Sequence, residues 1–146
     1  MPTNHDTYDH TGIPGTGGTP TLTSSTNQLS ADVTVTSANT YYDGPSLSLA
    51  AGTWLLTAAI TVADLNESCL WTAKVWDGTT VASSIQGANL SGGALSMTLS
   101  AIVSPGSTTT YKVSAASNGT NGVIRAAAST NGAGNNASSL TAVKIG

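Results

Sequence analysis

Charged side chains are scarce in this sequence. They make up 8% of the 146 residues, with four basic and seven acidic residues and a formal net charge of −3. Average soluble domains carry about 25% charged residues. The four basic residues lie far apart in the chain, at Lys74, Lys112, Arg125 and Lys144. Binding to nucleic acid needs clustered positive charge, so we do not expect a nucleic-acid partner. The same scarcity argues against a charged membrane-binding surface.

Cysteine and long apolar segments are also nearly missing. Cys69 is the only cysteine, so no intrachain disulfide can form. It begins an apolar segment and has no basic neighbour, which indicates an inert core thiol. No apolar run approaches the roughly 20 residues of a membrane-spanning helix. The N-terminus lacks the basic start and apolar stretch of a secretory signal, so we expect synthesis and folding in a cytoplasm.

The residues needed for catalysis are not grouped in any familiar motif. His5 and His10 are the only histidines, and both lie in an N-terminal segment where a rigid triad is not expected. The nucleophile elbow, the P-loop and the H-E-x-x-H motif are all absent. Asp43 and Asp77 each precede a glycine and are interpreted as turn formers. We therefore expect no enzyme, no catalytic residues, no cofactor and no metal.

Most of the chain consists of short alternating segments separated by turns. Apolar and polar residues alternate from Leu29 onward, as in half-buried strands. The clearest strands are Thr53 to Ala63 and Cys69 to Trp76, and Asp77-Gly78 after the second predicts a tight hairpin. Residues 140–145 form a last strand that we expect to be central and paired. The pattern predicts an all-β, jelly-roll-like β-sandwich of about eight or nine strands over residues 29–146.

The aromatic residues are interpreted mainly as core. Trp54 and Trp71 stand in phase with apolar neighbours, whereas Trp76 lies beside the hairpin turn, where partial exposure is expected. Tyr41 and Tyr42 point to opposite faces if the chain is extended, so at most one of them is buried. An exposed aromatic residue would suit a sugar-binding site. Many expected core positions are alanine, and this thin core predicts an oligomer in which neighbouring copies supply apolar surface.

Residues 1–28 are predicted to form an extended N-terminal arm that contains Gly and Pro. Gly12, Gly15 and Gly18 recur at every third position, which matches either a short collagen-like segment or a flexible linker. The histidines and aspartates of the arm are metal-ligand types, but their spacing is not a zinc signature, and a polar anchor is expected instead. We predict that the partner-binding residues of the arm are His5, Asp6, Tyr8, Asp9, His10, Ile13 and Pro14.

Three segments of the body resemble a module of tailed-bacteriophage structural proteins. They are YDGPSLSLAAGTWLLT (42–57), AKVWDGTTV (73–81) and LTAVKIG (140–146). Related modules resemble the trimeric jelly roll of tumour-necrosis-factor and complement-head proteins. The arm segment DHTGIPG (9–15) is similar to the termini of phage fibre and decoration proteins. The resemblance covers roughly residues 29–146 and is stronger for a virion protein in general than for one part of the virion.

The resemblance implies a homotrimer on the virion. We expect a capsid decoration (cement) protein whose arm binds the major capsid protein or another virion protein. The alternative is the tip of a head or tail fibre that binds a host-surface glycan. Asn89-Leu90-Ser91 and three similar triplets match the glycosylation acceptor, but without a secretory signal we give them no weight.

Overall fold

The computed structural model describes residues 22–64, 66–127 and 136–146, which form an antiparallel β-sandwich. In chain order the strands are β1 Ser24–Gln28, β2 Val33–Val35, β3 Tyr42–Leu49, β4 Trp54–Asp64, β5 Cys69–Trp76, β6 Val81–Asn89, β7 Ala94–Val103, β8 Thr109–Ser117, β9 Gly122–Ile124 and β10 Ser139–Lys144. The predicted all-β sandwich is confirmed, with ten strands instead of eight or nine. Among the described residues, no helix is suited to crossing a membrane.

The strands form two sheets. In sheet A the order is β1-β10-β4-β9-β2, and β7 pairs with the opposite side of β4. In sheet B the order is β3-β8-β5-β6. Strands far apart in the sequence are therefore neighbours, as in a jelly roll. The last strand, β10, lies between β1 and β4, which confirms the expected paired position of the C-terminal strand.

The core lies between the two sheets and follows the period of two expected for strands. The inward side chains of β4 are Trp54, Leu56, Ala58, Ile60 and Val62, all at most 5% exposed. Those of β5 are Cys69, Trp71, Ala73 and Val75, all at most 3% exposed. Both tryptophans assigned to the core are thus buried. The indole Nε1 of Trp54 donates to the Ala50 carbonyl oxygen (2.9 Å), which satisfies its polar group.

The first strand begins earlier than the alternation indicated. Residues 24–28, assigned from the sequence to the arm, form β1 and pair with β10 from Ser24 opposite Val143 to Gln28 opposite Ser139. All five residues of β1 are exposed and polar, so no apolar periodicity marks the strand. Its place in the sheet depends on backbone hydrogen bonds to β10, with side-chain bonds from Thr26 to Thr141 (3.0 Å) and from Asn27 Nδ2 to Ser46 O (2.8 Å) beside them. Between β1 and β2 the chain bends, and Asp32 Oδ1 accepts a hydrogen bond from Ala126 N (2.7 Å).

The segment around Pro45 is a strand, so the interpretation of Asp43 as a turn former was wrong. Tyr42–Leu49 forms β3 at the edge of sheet B, with a bulge in its pairing between Asp43 and Ser46. Proline is tolerated at edges and bulges because its missing N–H breaks no ladder bond there.

The interpretation of Asp77 as a turn former is confirmed. Its Oδ1 accepts from Thr79 N (2.9 Å) and Thr80 N (2.7 Å) in the hairpin between β5 and β6. Gly78 follows at φ +101°, a left-handed conformation that favours glycine.

Candidate functional site

The residues predicted to bind a partner lie outside the described part of the chain, which begins at Leu22. They are His5, Asp6, Tyr8, Asp9, His10, Ile13 and Pro14. The role of the arm as an anchor therefore stays a prediction. The described residues offer three other regions with distinct chemistry: the outer face of each sheet and the loop end beside Cys69.

At the β9 side of sheet A lies the ion pair of Arg125 with Asp32, where Arg125 N donates to Thr61 O (2.8 Å). The part of the outer face formed by β1, β10, β4 and β7 is uncharged and consists mostly of hydroxyl groups. We call it the hydroxyl face and define it by the outward side chains of β1, β10, β4 and β7: Ser24, Thr26, Gln28, Leu55, Thr57, Ala59, Thr61, Ser96, Thr98, Ser100, Ile102, Ser139, Thr141 and Val143. Hydroxyls on adjacent strands bond to each other. Thr26 Oγ1 lies 3.0 Å from Thr141 Oγ1, and Thr61 Oγ1 lies 2.9 Å from Ser96 Oγ. Successive residues of a strand point to opposite faces of the sheet. In β4, β7 and β10 every second side chain faces the core, so the small polar residues between them lie on the outer face.

One end of the hydroxyl face is apolar. Leu55 stands opposite Ile102 of β7 on one side and opposite Val143 of β10 on the other. Leu55 is 38% exposed and Ile102 is 67% exposed. Cross-strand neighbours on one face touch, so these three side chains form a continuous apolar patch on an otherwise hydroxyl-rich surface. Ser24, the first residue of β1, pairs with Val143 at the same end.

The outer face of sheet B carries a chain of polar contacts. Lys112 Nζ lies 2.6 Å from Asp43 Oδ2 in an ion pair that is partly exposed to solvent. Ser114 Oγ donates to Asp43 Oδ1 (2.6 Å), and Trp76 Nε1 donates to Ser114 Oγ (2.7 Å). The bulge in β3 brings Asp43 alongside β8, so the carboxylate is held by a fixed network on the surface of the sheet. Half-exposed ion pairs contribute little stability by themselves.

Two aromatic rings hold a second lysine next to this network. The ammonium group of Lys74 lies 3.4 Å from the centroid of the Trp76 ring and 3.9 Å from that of the Tyr41 ring. Both contacts are within the range of cation–π attraction. Trp76 is partly exposed, as the sequence indicated, and Tyr41 is 38% exposed. Because Lys74 and Trp76 alternate on one face of β5, their proximity was readable from the sequence, but the approach of Tyr41 was not.

A concave groove of about 290 Å³ adjoins these aromatic residues. Its lining residues come from four separate segments of the chain: Asn39, Tyr41, Leu70, Thr72, Gln86, Ala116, Ser117 and Asn118. Asn39 has a φ of +58°, and its backbone N donates to Ser117 O (2.6 Å), which anchors the wall that carries Tyr41. Asparagine is among the residues that best tolerate this left-handed conformation. The groove is close to the lower size of small-molecule sites, about 300 Å³.

The loop end of the sandwich holds a group of two acids and the single thiol. The ligand atoms of Asp64, Glu67 and Cys69 lie within 4.8 Å of one another. Asp64 Oδ1 accepts from the backbone N of Asn66 (3.0 Å) and of Glu67 (3.2 Å), and Oδ2 accepts from Cys69 Sγ (3.4 Å). Burial raises the pKa of the Cys69 thiol, and the neighbouring carboxylates raise it further. Burial and the carboxylates thus favour the protonated thiol over the reactive thiolate.

Asn89 is a buried structural residue that the sequence did not single out except as a glycosylation acceptor. Its Oδ1 accepts from Trp71 Nε1 (2.9 Å) and from Cys69 N (3.3 Å). Its Nδ2 donates to the carbonyl oxygens of Asp64, Leu90 and Gly93. Asn89 is 3% exposed, so its amide is not accessible to a modifying enzyme in the folded protein. No local signal distinguishes it from the many other asparagines of the chain.

Comparisons with known proteins identify neither a family nor a curated relative. No protein-family model matches the chain, and no curated protein does. Among solved structures, one that matches is infectious bursal disease virus, Gx strain, at 10% identity and TM-score 0.49, over 90% of this chain and 42% of that chain.

Two further solved structures match less well. The C-terminal CBM6 of LamC, a marine laminarinase from Zobellia galactanivorans, matches at 14% identity and TM-score 0.38, over 86% of this chain and 92% of that chain. The VP2 subviral particle of infectious bursal disease virus matches at 13% identity and TM-score 0.37, over 85% of this chain and 37% of that chain. At these values none of the three structures carries an argument about the function of this protein.

Proposed function

We propose that this protein is an accessory structural protein of a bacteriophage virion, a decoration or cement protein that sits on the capsid surface as a homotrimer. The observation that carries the proposal is the uncharged hydroxyl face of sheet A. Lys74, Lys112 and Asp43 all lie on the other sheet, and the Arg125–Asp32 ion pair lies at the β9 side of sheet A, outside this face. The resemblance of residues 29–146 to trimeric phage modules supplies the expected symmetry and location.

The hydroxyl face has the properties of an interface between copies. Interface centres are depleted in charged residues, because an unpaired charge is expensive to remove from water. Hydroxyls that already bond to each other, as Thr26 and Thr141 do, lose little when water is excluded. Four strands about 4.8 Å apart and eight residues at about 3.3 Å each give a face of roughly 500 Å². A stable interface needs about 800 Å² per partner, so strand edges or loops supply the remainder.

The position of β1 suits attachment through the arm. Ser24 begins β1 beside the apolar patch at one end of the hydroxyl face. In a threefold arrangement the three arms therefore leave from the same end of the trimer and reach three neighbouring capsid subunits. Once one arm is bound, the other two arms are held close to their own binding sites at a high effective concentration. Three weak contacts linked in this way raise avidity by roughly 10²–10⁴ over a single contact. Among the predicted arm contacts, only Asp6 and Asp9 are acidic and none is Lys or Arg, so binding is expected to persist at high salt.

Sedimentation of a pair of variants tests the interface. Thr57→Lys places a charge in the middle of the hydroxyl face, opposite Ser100 and Thr141. Thr110→Lys places the same charge at an exposed threonine of β8, in sheet B. We expect the unmodified protein and Thr110→Lys to sediment as trimers and Thr57→Lys to sediment as a folded monomer. A monomeric unmodified protein at micromolar concentration, or a trimeric Thr57→Lys variant, would contradict the proposal.

Particles that lack this protein distinguish the two virion roles. A cement protein predicts particles that assemble but lose their genome at a lower temperature than complete ones. A protein that begins at Leu22 should keep β1, fold and fail to bind such particles, because it lacks the arm. The alternative, a fibre tip that binds a host glycan, is favoured by the groove in sheet B. It predicts unchanged heat stability and reduced adsorption to host cells.

A further inference from the structure

The groove in sheet B has the polar groups that recognise sugar hydroxyls. Gln86 Nε2 donates to Thr72 Oγ1 (3.4 Å), and Asn118 Oδ1 accepts from Leu70 N (2.8 Å). Among the described residues, the other polar atom of each amide has no hydrogen-bond partner. The two amides thus present one acceptor and one donor to a ligand, and the hydroxyl of Thr72 can do either. This uncharged set of donors and acceptors matches the adjacent hydroxyl groups of a sugar ring.

The groove also offers apolar surface beside these polar groups. Leu70 is 51% exposed and Tyr41 is 38% exposed, and both line the groove. The C–H face of a sugar ring is removed from water when it lies against such side chains, which is favourable in proportion to the area covered. A few placed polar groups on an apolar wall are the usual composition of a small-molecule site.

Positive charge lies next to the groove, although Lys74 is not itself a lining residue. Lys74 follows Thr72 on the same face of β5, and its ammonium group touches Tyr41, which lines the groove. The other lysine of this face, Lys112, is paired with Asp43. Within the described residues, no carboxylate forms an ion pair with Lys74. The rings of Tyr41 and Trp76 hold this ammonium in place without neutralising it, so its charge is available to an anion.

We infer that this groove binds a saccharide that carries a carboxylate, with Lys74 contacting the carboxylate and Gln86, Asn118 and Thr72 contacting ring hydroxyls. The groove belongs to a single chain, so the inference does not depend on the trimer. It deepens the glycan-binding alternative and also applies to a decoration protein that exposes sheet B to the medium. Hydrogen bonds that involve a charged group are stronger than those between neutral groups. We therefore expect the contact with Lys74 to make acidic sugars bind more tightly than neutral ones.

A glycan array with neutral, uronic-acid and sialic-acid saccharides tests the inference on the full-length protein. We expect binding to acidic members only, weakened by salt. Binding to no acidic saccharide, or equal binding to neutral ones, would overturn it. For the saccharide bound most tightly, Lys74→Gln should weaken binding about tenfold or more, as expected for the loss of a charged hydrogen bond. Lys144→Gln removes the same charge near Trp54, away from the groove, and should leave affinity unchanged.

A second variant keeps the test valid if Lys74→Gln fails to fold. Gln86 is exposed on β6, so Gln86→Ala should fold normally and still weaken saccharide binding. Melting curves of all three variants verify the fold. Sedimentation and particle heat stability should be unaffected by Lys74→Gln, so a failure of saccharide binding is separable from a failure of the proposed structural role. If Lys74→Gln weakens attachment to particles instead, the groove binds a virion protein and the inference is wrong.

Discussion

Replacing Asn89 by alanine should destabilise the protein more than any surface change of similar size. The change leaves two buried donors, Trp71 Nε1–H and Cys69 N–H, without their acceptor. Trp71 is 0% exposed and Cys69 is 3% exposed, so bulk water does not replace the lost oxygen. An unsatisfied buried donor costs about 1–3 kcal/mol, so we expect a loss of about 2–6 kcal/mol. The lower end applies if a water molecule enters the vacated space.

Thermal and denaturant unfolding measure this loss. At about 2–4 °C per kcal/mol for a chain of this size, the melting temperature should fall by about 4–24 °C. Protein concentration must be held constant, because dissociation of an oligomer shifts the transition. Asn121→Ala, at an exposed loop position, is the matched control and should stay within about 0.5 kcal/mol of the unmodified protein.

A double-mutant cycle isolates the central hydrogen bond. Trp71→Phe removes the indole N–H, and its effect should be smaller in the Asn89→Ala background than alone, with a coupling energy of about 0.5–3 kcal/mol. The reasoning would be refuted by an Asn89→Ala variant less than about 1 kcal/mol below the unmodified protein, or by the absence of coupling to Trp71. Either result would mean that the loops do not depend on the Asn89 amide.

Three further predictions concern a thiol, a glycine and a carboxylate. Cys69 should react with iodoacetamide only when the protein is unfolded, because burial raises its pKa; fast labelling of the folded protein, detected by mass spectrometry, would contradict this. Gly122→Ala should destabilise by about 1–3 kcal/mol, since its Cβ would lie 2.5 Å from Trp71 Cη2, whereas Gly106→Ala, with open space around it, should be nearly neutral in urea unfolding. Hydrogen bonds from Thr80 N, Thr79 N and Thr79 Oγ1 lower the pKa of Asp77 below its ordinary 3.8, so its stabilising effect is present above that pH and is lost as the pH falls through the lowered value. Asp77→Asn should flatten that part of the stability profile, and an unchanged acid slope would show that the hairpin does not contribute.

Local periodicity was sufficient to predict the central part of the fold. The alternation from Trp54 to Val62 and from Cys69 to Val75 predicted which side chains are buried, because successive residues of a strand point to opposite faces. Asp77-Gly78 predicted the hairpin, because the turn needs a left-handed residue and a side chain that accepts hydrogen bonds from the following backbone. Such features depend on neighbouring residues only and are readable without a partner strand.

Tertiary structure decided the features that depend on distant partners. The polar strand β1 exists because β10, more than 100 residues later, offers it backbone hydrogen bonds. Asp43 looked like a turn residue, yet a bulge in β3 holds it beside Lys112 and Ser114 of β8.

The groove in sheet B also depends on contacts between distant parts of the chain. The groove joins residues 39 and 41, 70 and 72, 86, and 116–118, which meet only when sheet B is assembled. Composition thus determined that the protein is poorly charged, and local alternation determined that it is a β-sandwich. Pairing between distant strands determined which of its few charges lie together, because side chains that are far apart in the sequence become neighbours only through the register of the sheet.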